Sequence, residues 1–333
     1  MSSVLIRGDG VAARCCAHLL SQAGVEVVLE PVDRPRLPVI MLNHRALALI
    51  RDIFGDPNLF RDAPRIHKRI VAWGRDAKPL ALDHSAIVVS EEILLENLSP
   101  KIAANSPAHI APKWTIFASR PLPAPTEEHR CGSRVASAMP VSLAPDAEPG
   151  VCWIESLEDG WLFLIPNAPR CAWLLAVGNQ PETLVPRSRV IAKQIAQANP
   201  AVGQFRAYPR IVSPLSGQNW LACGTAAMAF DPLCGDGTAH AIREAILASA
   251  VVRAALKQPD HEGLQAHYDA RLVAGFRRHL MLCAEYYRSG GTGEWWRSEL
   301  QSIEQGLAWC DRKLEAHGEF RYRLTDFELH ALA

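Results

Sequence analysis

The feature that most constrains this chain is a glycine turn near its N-terminal end. Val4 to Gly8 form a short apolar run that ends in Gly8-Asp9-Gly10, and a helical pattern follows from Val11 to Ala23, stopped by Gly24. Val25 to Glu30 is a second apolar run, enriched in β-branched residues. Strand, glycine turn, helix and strand in that order make a βαβ unit, whose two strands run parallel. The turn reads Gly8-Asp9-Gly10-Val11-Ala12-Ala13, the G-x-G-x-x-G/A pattern in its alanine form. Gly8 permits the tight turn out of the strand, Gly10 lets the backbone approach a pyrophosphate, and Ala13 keeps the helix close to the sheet. The helix N-terminus adds free N–H groups and positive potential. Glu30 ends the second strand about 20 residues further on, where a carboxylate accepts hydrogen bonds from ribose hydroxyls and disfavours a 2′-phosphate. The unit therefore predicts a dinucleotide site that does not favour NADP.

At 333 residues the chain is long for one core, and two intimately connected domains are expected. Arg34 to Pro38 reads as loop and Met41 to Phe54 returns to helical spacing. From about Ser85 the chain becomes strand-rich: SAIVVS, WTIFAS, RVASAMPVSL, VCWIES, GWLFLIP and CAWLLAV are apolar runs separated by turn residues. They predict a mostly antiparallel sheet inserted between two parts of a nucleotide domain. Helical patterns resume at Arg187 to Ala198, Thr238 to Leu256, Leu264 to Arg288 and Glu294 to Ala316. The expected organisation is α/β: a Rossmann-like unit over 1–84, the sheet over 85–185, a return of the nucleotide domain over 186–260 and C-terminal helices over 261–333.

Composition narrows the partners. Lys plus Arg equals Asp plus Glu, 35 against 35, so the electrostatic case for nucleic acid or an anionic membrane surface is absent. No secretory pattern or bilayer-length apolar stretch is visible, and nine cysteines without a CxxC pair predict reduced thiols in a cytoplasmic protein rather than disulfides or a metal site.

A second glycine cluster lies at residues 220 to 247, WLACGTAAMAFDPLCGDGTAHAIREAIL. A strand, Trp220 to Cys223, runs into a loop with Asp231-Pro232 and Gly235-Asp236-Gly237, and a helix starts near Thr238. Such a loop offers backbone N–H groups to a second electronegative part of a ligand. The two motifs together resemble the FAD-dependent monooxygenase and flavin-dependent halogenase superfamily, whose C-terminal signature is G-D-A-A-x-x-x-D-P-x-x-G-x-G. The match falls on Gly224, Ala226, Ala227, Asp231, Pro232, Gly235 and Gly237, with Thr225 in place of the family's Asp. The resemblance implies FAD as cofactor, with its pyrophosphate on Gly8 to Ala13, its ribose on Glu30 and its isoalloxazine against Pro232 to Thr238. A hydroxyl at Thr225 lacks the charge-assisted bond of an Asp, so weaker FAD retention is expected.

Asp159-Gly160-Trp161-Leu162-Phe163-Leu164-Ile165-Pro166 resembles the G-W-x-W-x-I-P motif of tryptophan halogenases, a family that also needs a lysine reached through a tunnel from the flavin. Lys68, in IHKRIVAWG, is the positional candidate, although a solvated lysine among Arg65, His67 and Arg69 is the plainer reading. The short chain and the weak lysine motif also resemble compact flavoproteins that modify a tryptophan of a partner protein during quinone-cofactor maturation. The resemblance thus implies an oxidoreductase: a monooxygenase hydroxylating a Trp-like aromatic, free or protein-bound, through a flavin C4a-(hydro)peroxide. Pro232, Gly235 and Gly237 would frame the flavin, and NADH or a separate flavin reductase would supply electrons. Halogenation, dehydrogenation and a non-catalytic role in cofactor maturation are the alternatives. No general base stands out among His84, His129 and His240. The aromatic stretch around Tyr286, Tyr287, Trp295 and Trp296 reads equally as a cavity cover or partner surface and as core packing between two helices.

Overall fold

In a computed structural model of the chain, residues 3–75, 78–99, 111–123, 125–258, 260–318 and 320–332 are described. The N-terminal unit forms as its pattern requires. Strand β1 (Ser3–Arg7) enters helix α1 (Val11–Gln22) through the glycine turn, and β2 (Glu26–Glu30) returns parallel to β1, with Arg7 opposite Glu30. Helix α1 buries Val11, Cys15, Cys16, Leu19 and Leu20, a spacing of three and four that turns one apolar face to the core.

The next segment departs from expectation. Ile40–Asn43 is a strand, β3, and helix α2 (His44–Phe54) begins only after it. Asn43 sets that boundary by accepting the Ala46 N–H at 2.9 Å. Strands β4 (Arg65–Ala72) and β5 (Leu80–Val89) pair antiparallel and lead to α3 (Glu91–Asn97). Strand β6 (Trp114–Phe117), the WTIFAS run expected in the antiparallel insert, instead pairs parallel with β1, Val4 opposite Trp114. A short apolar run fits either kind of sheet, since periodicity does not encode its partner.

After β7 (Glu127–Arg130), four long strands follow: β8 (Val135–Leu143), β9 (Val151–Leu157), β10 (Gly160–Ala168) and β11 (Cys171–Val177). A one-turn helix, α4 (Pro181–Leu184), comes next. The helix expected over Arg187 to Ala198 does not form; short 3-10 turns at 185–187 and 192–194 lead into β12 (Ile195–Ala198). The cause is Glu155 of β9, fully buried, whose carboxylate accepts the N–H groups of Arg189 (2.7 Å), Val190 (3.3 Å) and Ile191 (3.1 Å) and the Ser188 hydroxyl. Donors held by one carboxylate cannot also enter a helical ladder.

Short strands β13 (Gly203–Arg206), β14 (Arg210–Ser213), β15 (Ser216–Gly217), β16 (Trp220–Ala222) and β17 (Met228–Ala229) precede three long helices. These are α5 (Gly237–Ala255), α6 (His261–Gly290) and α7 (Glu294–His317), with a terminal hairpin of β18 (Tyr322–Thr325) and β19 (Glu328–Ala331).

Among the described residues, one sheet has the order β15-β16-β6-β1-β2, parallel apart from β15. A nine-stranded sheet has the order β12-β8-β11-β10-β9-β4-β5-β3, with β13 also on β8; it is antiparallel except for the β4–β9 pair. The result is an α/β fold: a Rossmann-like unit joined to a mostly antiparallel sheet, with C-terminal helices. The β3–β5 region thus belongs to the larger sheet and not to the Rossmann-like sheet. Helix α1 packs on α5, and α6 pairs with α7. No helix among the described residues is long and apolar enough to cross a membrane.

Strand β10 shows how one run serves two cores. Trp161, Phe163 and Ile165 join the main core, while Leu162 and Leu164 join a second one with Met139, Leu174, Leu184 and Ile191. Period-two alternation produces this split, and each fully buried leucine contributes about 2 kcal/mol. The cap that closes the second core hangs on Glu155. Glu155→Ala should lower unfolding free energy in urea by about 2–4 kcal/mol, against less than about 0.5 for the exposed Glu182→Ala.

Candidate functional site

The two glycine motifs, more than 200 residues apart, meet at one cavity of about 350 Å³. Gly10, Val11 and Ala12 line it from the first motif; Gly224, Thr225, Asp231, Pro232, Gly235, Gly237 and Thr238 line it from the second. The motifs also touch. Gly224 has a positive φ of 58°, and a Cβ there would stand 2.7 Å from that of Ala12, so only glycine lets the second loop seat on the first helix. Gly8 has a φ of 136°, and a Cβ would lie 2.7 Å from Ser119 Oγ at the end of β6. Gly8 and Ala13 are not lining residues; they fix the turn's shape.

Polarity is concentrated at the helix ends. Neither α1 nor α5 carries a side-chain N-cap bond, so first-turn N–H groups of both remain for a ligand. Arg34 lines the cavity, paired with Glu91, and its Nε has no hydrogen-bond partner, as is true of Ser119 Oγ. Asp9, the middle residue of the turn, is bonded by Arg14 at 2.8 Å and by Arg36. Burial would raise its carboxyl, yet the two arginines hold it below the usual range. Glu30 sits at the end of β2, about half exposed, paired with Arg7 at 3.1 Å and outside the cavity lining.

The sheet supplies an apolar wall: Phe163 and Ile165 of β10, Trp173 and Leu175 of β11, Phe205 of β13 and Met228 of β17. A dry wall beside uncapped helix ends suits a ligand with a flat apolar part and an anionic part. The arrangement fits FAD: two helix starts without side-chain caps, an unpartnered Arg34 Nε on a residue that lines the cavity, and one cavity shared by both motifs.

The second loop is fastened from behind. The Asp231 carboxylate is fully buried, forms an ion pair with Arg134 Nε at 2.9 Å, and accepts from Tyr287 Oη at 2.8 Å and from the Leu233 N–H at 2.9 Å. Arg134 is fully buried and also bonds Glu299 of α7, which accepts from Ser133 N–H and Oγ. Burial opposes the charge on Arg134, but Tyr287, Asp231 and Glu299 hold its pKa above the ordinary value. Burial pushes the Asp231 carboxyl up, and Arg134 pulls it back. Asp231 therefore spends its carboxylate on the protein. Tyr287 in turn accepts the Trp161 indole N–H at 3.2 Å, which ties the Gly-Trp motif to the same network. None of the four aromatics lines the cavity: Tyr287 and Trp296 are core residues, Trp295 packs against the core and Tyr286 is 43% exposed.

Lys68 does not face the cavity. It is 38% exposed, 4.0 Å from Glu148. Of Lys68 and its neighbour Arg69, it is Arg69 that approaches the loop: its Nη2 is 3.8 Å from where a Gly235 Cβ would stand and its guanidinium lies 5.7 Å from the Phe163 ring centroid. A register shift between Ile66 and Lys68 interrupts the strand's alternation, so no period-two reading could tell which neighbour turns inward. Arg69 also contacts His84 at 3.2 Å, and burial with that charge lowers the His84 pKa to about 4. His129 stacks on Trp309, and His240 bonds Asp236 at 2.9 Å and stacks on Phe230. Thr225 lines the cavity and its hydroxyl reaches Ala118 O at 3.5 Å.

Sequence reasoning also missed Glu244. This α5 residue is 5% exposed, lines the cavity, accepts the Gly224 N–H at 2.8 Å through Oε2 and leaves Oε1 without a partner. Burial pushes its pKa to about 8. A folded-state value above the unfolded one means that the folded chain binds the extra proton. That contribution is full below about pH 4.5 and is lost as pH rises through 8. Wild-type stability should therefore fall relative to Glu244→Gln between pH 5 and 8, by roughly 1.4 kcal/mol per unit, read from urea midpoints at each pH.

No protein-family model and no curated protein matches the chain by sequence. Solved structures match it by fold. The peptidyl tryptophan dihydroxylase QhpG, essential for tryptophylquinone cofactor biogenesis, superposes with a TM-score of 0.69 at 18% identity, over 89% of this chain and 78% of its own. The myxobacterial chondrochloren halogenase CndH, described as an FAD-dependent halogenase variant, gives 0.72 at 14%, over 94% and 91%. HpxO of Klebsiella pneumoniae, solved with FAD, gives 0.61 at 13%, over 95% of each chain. The chain therefore has the FAD-dependent monooxygenase and halogenase-like flavoprotein fold.

Proposed function

We propose that the protein is an FAD-dependent monooxygenase that hydroxylates an electron-rich, Trp-like aromatic, free or carried on a protein. The observation that carries this reading is the single cavity built from both glycine motifs and closed by an apolar sheet wall. The fold's likeness to QhpG, to CndH and to HpxO with FAD supports it.

Bound FAD, reduced by NADH or by a separate reductase, supplies the activation of O₂ for insertion of one oxygen atom into an aromatic ring. The protein's own residues bind, orient and exclude water. The uncapped start of α1 and Arg34 take the anionic part of the cofactor, and a ribose would reach Glu30, at the end of β2, only by displacing Arg7. The Pro232–Thr238 loop and the positive end of α5 hold the ring system and favour negative charge at its edge. Phe163, Ile165 and Trp173 keep water from the reacting carbon.

Hydroxylation is favoured over halogenation by the cation that faces the loop. A lysine amine can carry hypohalous acid on its nitrogen lone pair once deprotonated, but the Arg69 guanidinium stays protonated and has no such lone pair. The Lys68 side chain turns towards Glu148.

FAD titrated into the purified protein should quench flavin fluorescence saturably. Gly224→Val, which drives a side chain into Ala12, should abolish the quenching, and Thr225→Asp should tighten binding by roughly tenfold, the worth of one charge-assisted bond. Absence of binding by the folded wild-type protein would remove the cofactor assignment. With FAD, NADH and a flavin reductase, indole-type substrates should gain one oxygen atom by mass, equally with and without halide. Lys68→Ala should leave that rate unchanged; halide-dependent product lost on Lys68→Ala would instead establish halogenation.

A further inference from the structure

Two thiols meet behind the second glycine loop. Cys234 closes the 3-10 turn Pro232–Cys234 and is half-buried; Cys283, on α6, is buried. Their Sγ atoms lie 3.7 Å apart. A disulfide needs about 2 Å, so the sulfurs have a short gap to close, and Cys234 sits on a loop that turns at Gly235 with φ 65°. Cys15, Cys16 and Cys223 also cluster, but all are fully buried under the first helix, out of reach of a dissolved oxidant. Cys234 combines partial exposure with a thiol partner.

The neighbour that decides between a metal and a dithiol is His279. Its Nε2 lies 3.3 Å from Cys283 Sγ, and with Cys234 the three side chains lie close enough to hold an ion. That nitrogen already accepts the Asp231 N–H at 2.9 Å, so its lone pair is engaged and the ring proton belongs on Nδ1. A zinc ion would have to displace a backbone bond of the loop to gain that ligand, whereas a disulfide gives up only the weak Cys283 thiol contact to the same nitrogen.

We propose that Cys234 and Cys283 are a redox-active dithiol which peroxide closes to a disulfide, clamping the second glycine loop to α6. In the first step Cys234 sulfur attacks hydrogen peroxide, giving a sulfenic acid and water. In the second, Cys283 sulfur attacks the sulfenic sulfur; the S–O bond breaks, and the departing hydroxyl leaves as water with the Cys283 proton. Two thiols and one peroxide give one disulfide and two waters. Burial keeps the Cys283 thiol protonated at rest, which assigns the first attack to Cys234 and the resolving role to Cys283.

The full-length protein is reduced, freed of reductant, treated with equimolar hydrogen peroxide and alkylated under denaturing conditions. Thiol titration should fall from nine to seven, and a non-reducing digest should yield one linked peptide pair containing Cys234 and Cys283. Dithiothreitol should restore both thiols. Cys283→Ser should leave Cys234 as a sulfenic or higher acid with no linked pair. Cys283→Ala repeats that measurement if the serine variant fails to fold. Full alkylation of both cysteines after peroxide, or oxidation of Cys234 alone in the wild type, overturns the proposal. So does stoichiometric zinc in the purified protein that shields both thiols until chelated. The cross-link is read without cofactor, so failure to bind FAD would overturn the proposed function and leave this result standing.

Discussion

One buried guanidinium holds the site together. Arg134 stands at the start of β8, and its ion pairs reach Asp231 in the second glycine loop and Glu299 on α7. Three parts of the chain that share no local sequence are thus fixed by one side chain. The desolvation cost of such a group is several kcal/mol per ion, and it is offset only because every partner is present. Tyr287 lies against the guanidinium face with the charge 4.5 Å from the ring centroid, and its hydroxyl donates to Asp231. Trp161 joins through its indole N–H. The loop is consequently fixed from behind, with the N–H groups of Asp231, Leu233, Cys234 and Gly235 spent within the protein, and it is the uncapped start of α5 that remains for the cavity side.

That arrangement explains a division of labour within the second motif. The Asp231 carboxylate serves the scaffold, while glycines, Thr225 and Thr238 line the cavity beside it. At the first motif the pattern repeats: Asp9 is spent on Arg14 and Arg36, which brace the turn, while Gly10 faces the cavity. Both motifs present backbone to the ligand space and keep their carboxylates for internal bonds. Backbone dipoles at a helix end keep their orientation as a ligand arrives, so little reorganisation is needed.

How far the sequence alone reached can be argued element by element. The βαβ unit, the second glycine loop and the long helices were legible because glycine spacing and helical periodicity are local signals. The alternation of GWLFLIP correctly read as a buried strand. What failed was non-local. WTIFAS has the composition of an insert strand and lies in the parallel sheet, because Val4 and Ile6 are its neighbours. Arg187 to Ala198 has helical spacing, but Glu155, more than 30 residues earlier, captures its N–H groups. Lys68 rather than Arg69 drew attention because chemistry favoured an amine, and only the register shift in β4 shows which neighbour approaches the loop. Glu244 gave no signal within an ordinary helix.

The path of the chain between its two sheets has a consequence for its synthesis. The chain leaves the five-stranded sheet after β2, builds β3 to β5 of the larger sheet, returns for β6, and goes back again before β15 and β16 close the first sheet. Each sheet is therefore an incomplete edge for as long as the other is being made. A nascent chain cannot complete the five-stranded sheet until residue 222 has left the ribosome, long after β1 and β2. Exposed parallel edges with distant partners form slowly and invite association with other chains. An interleaved topology of this kind favours chaperone capture of the unfinished βαβ unit and slow refolding from the fully denatured chain at high concentration.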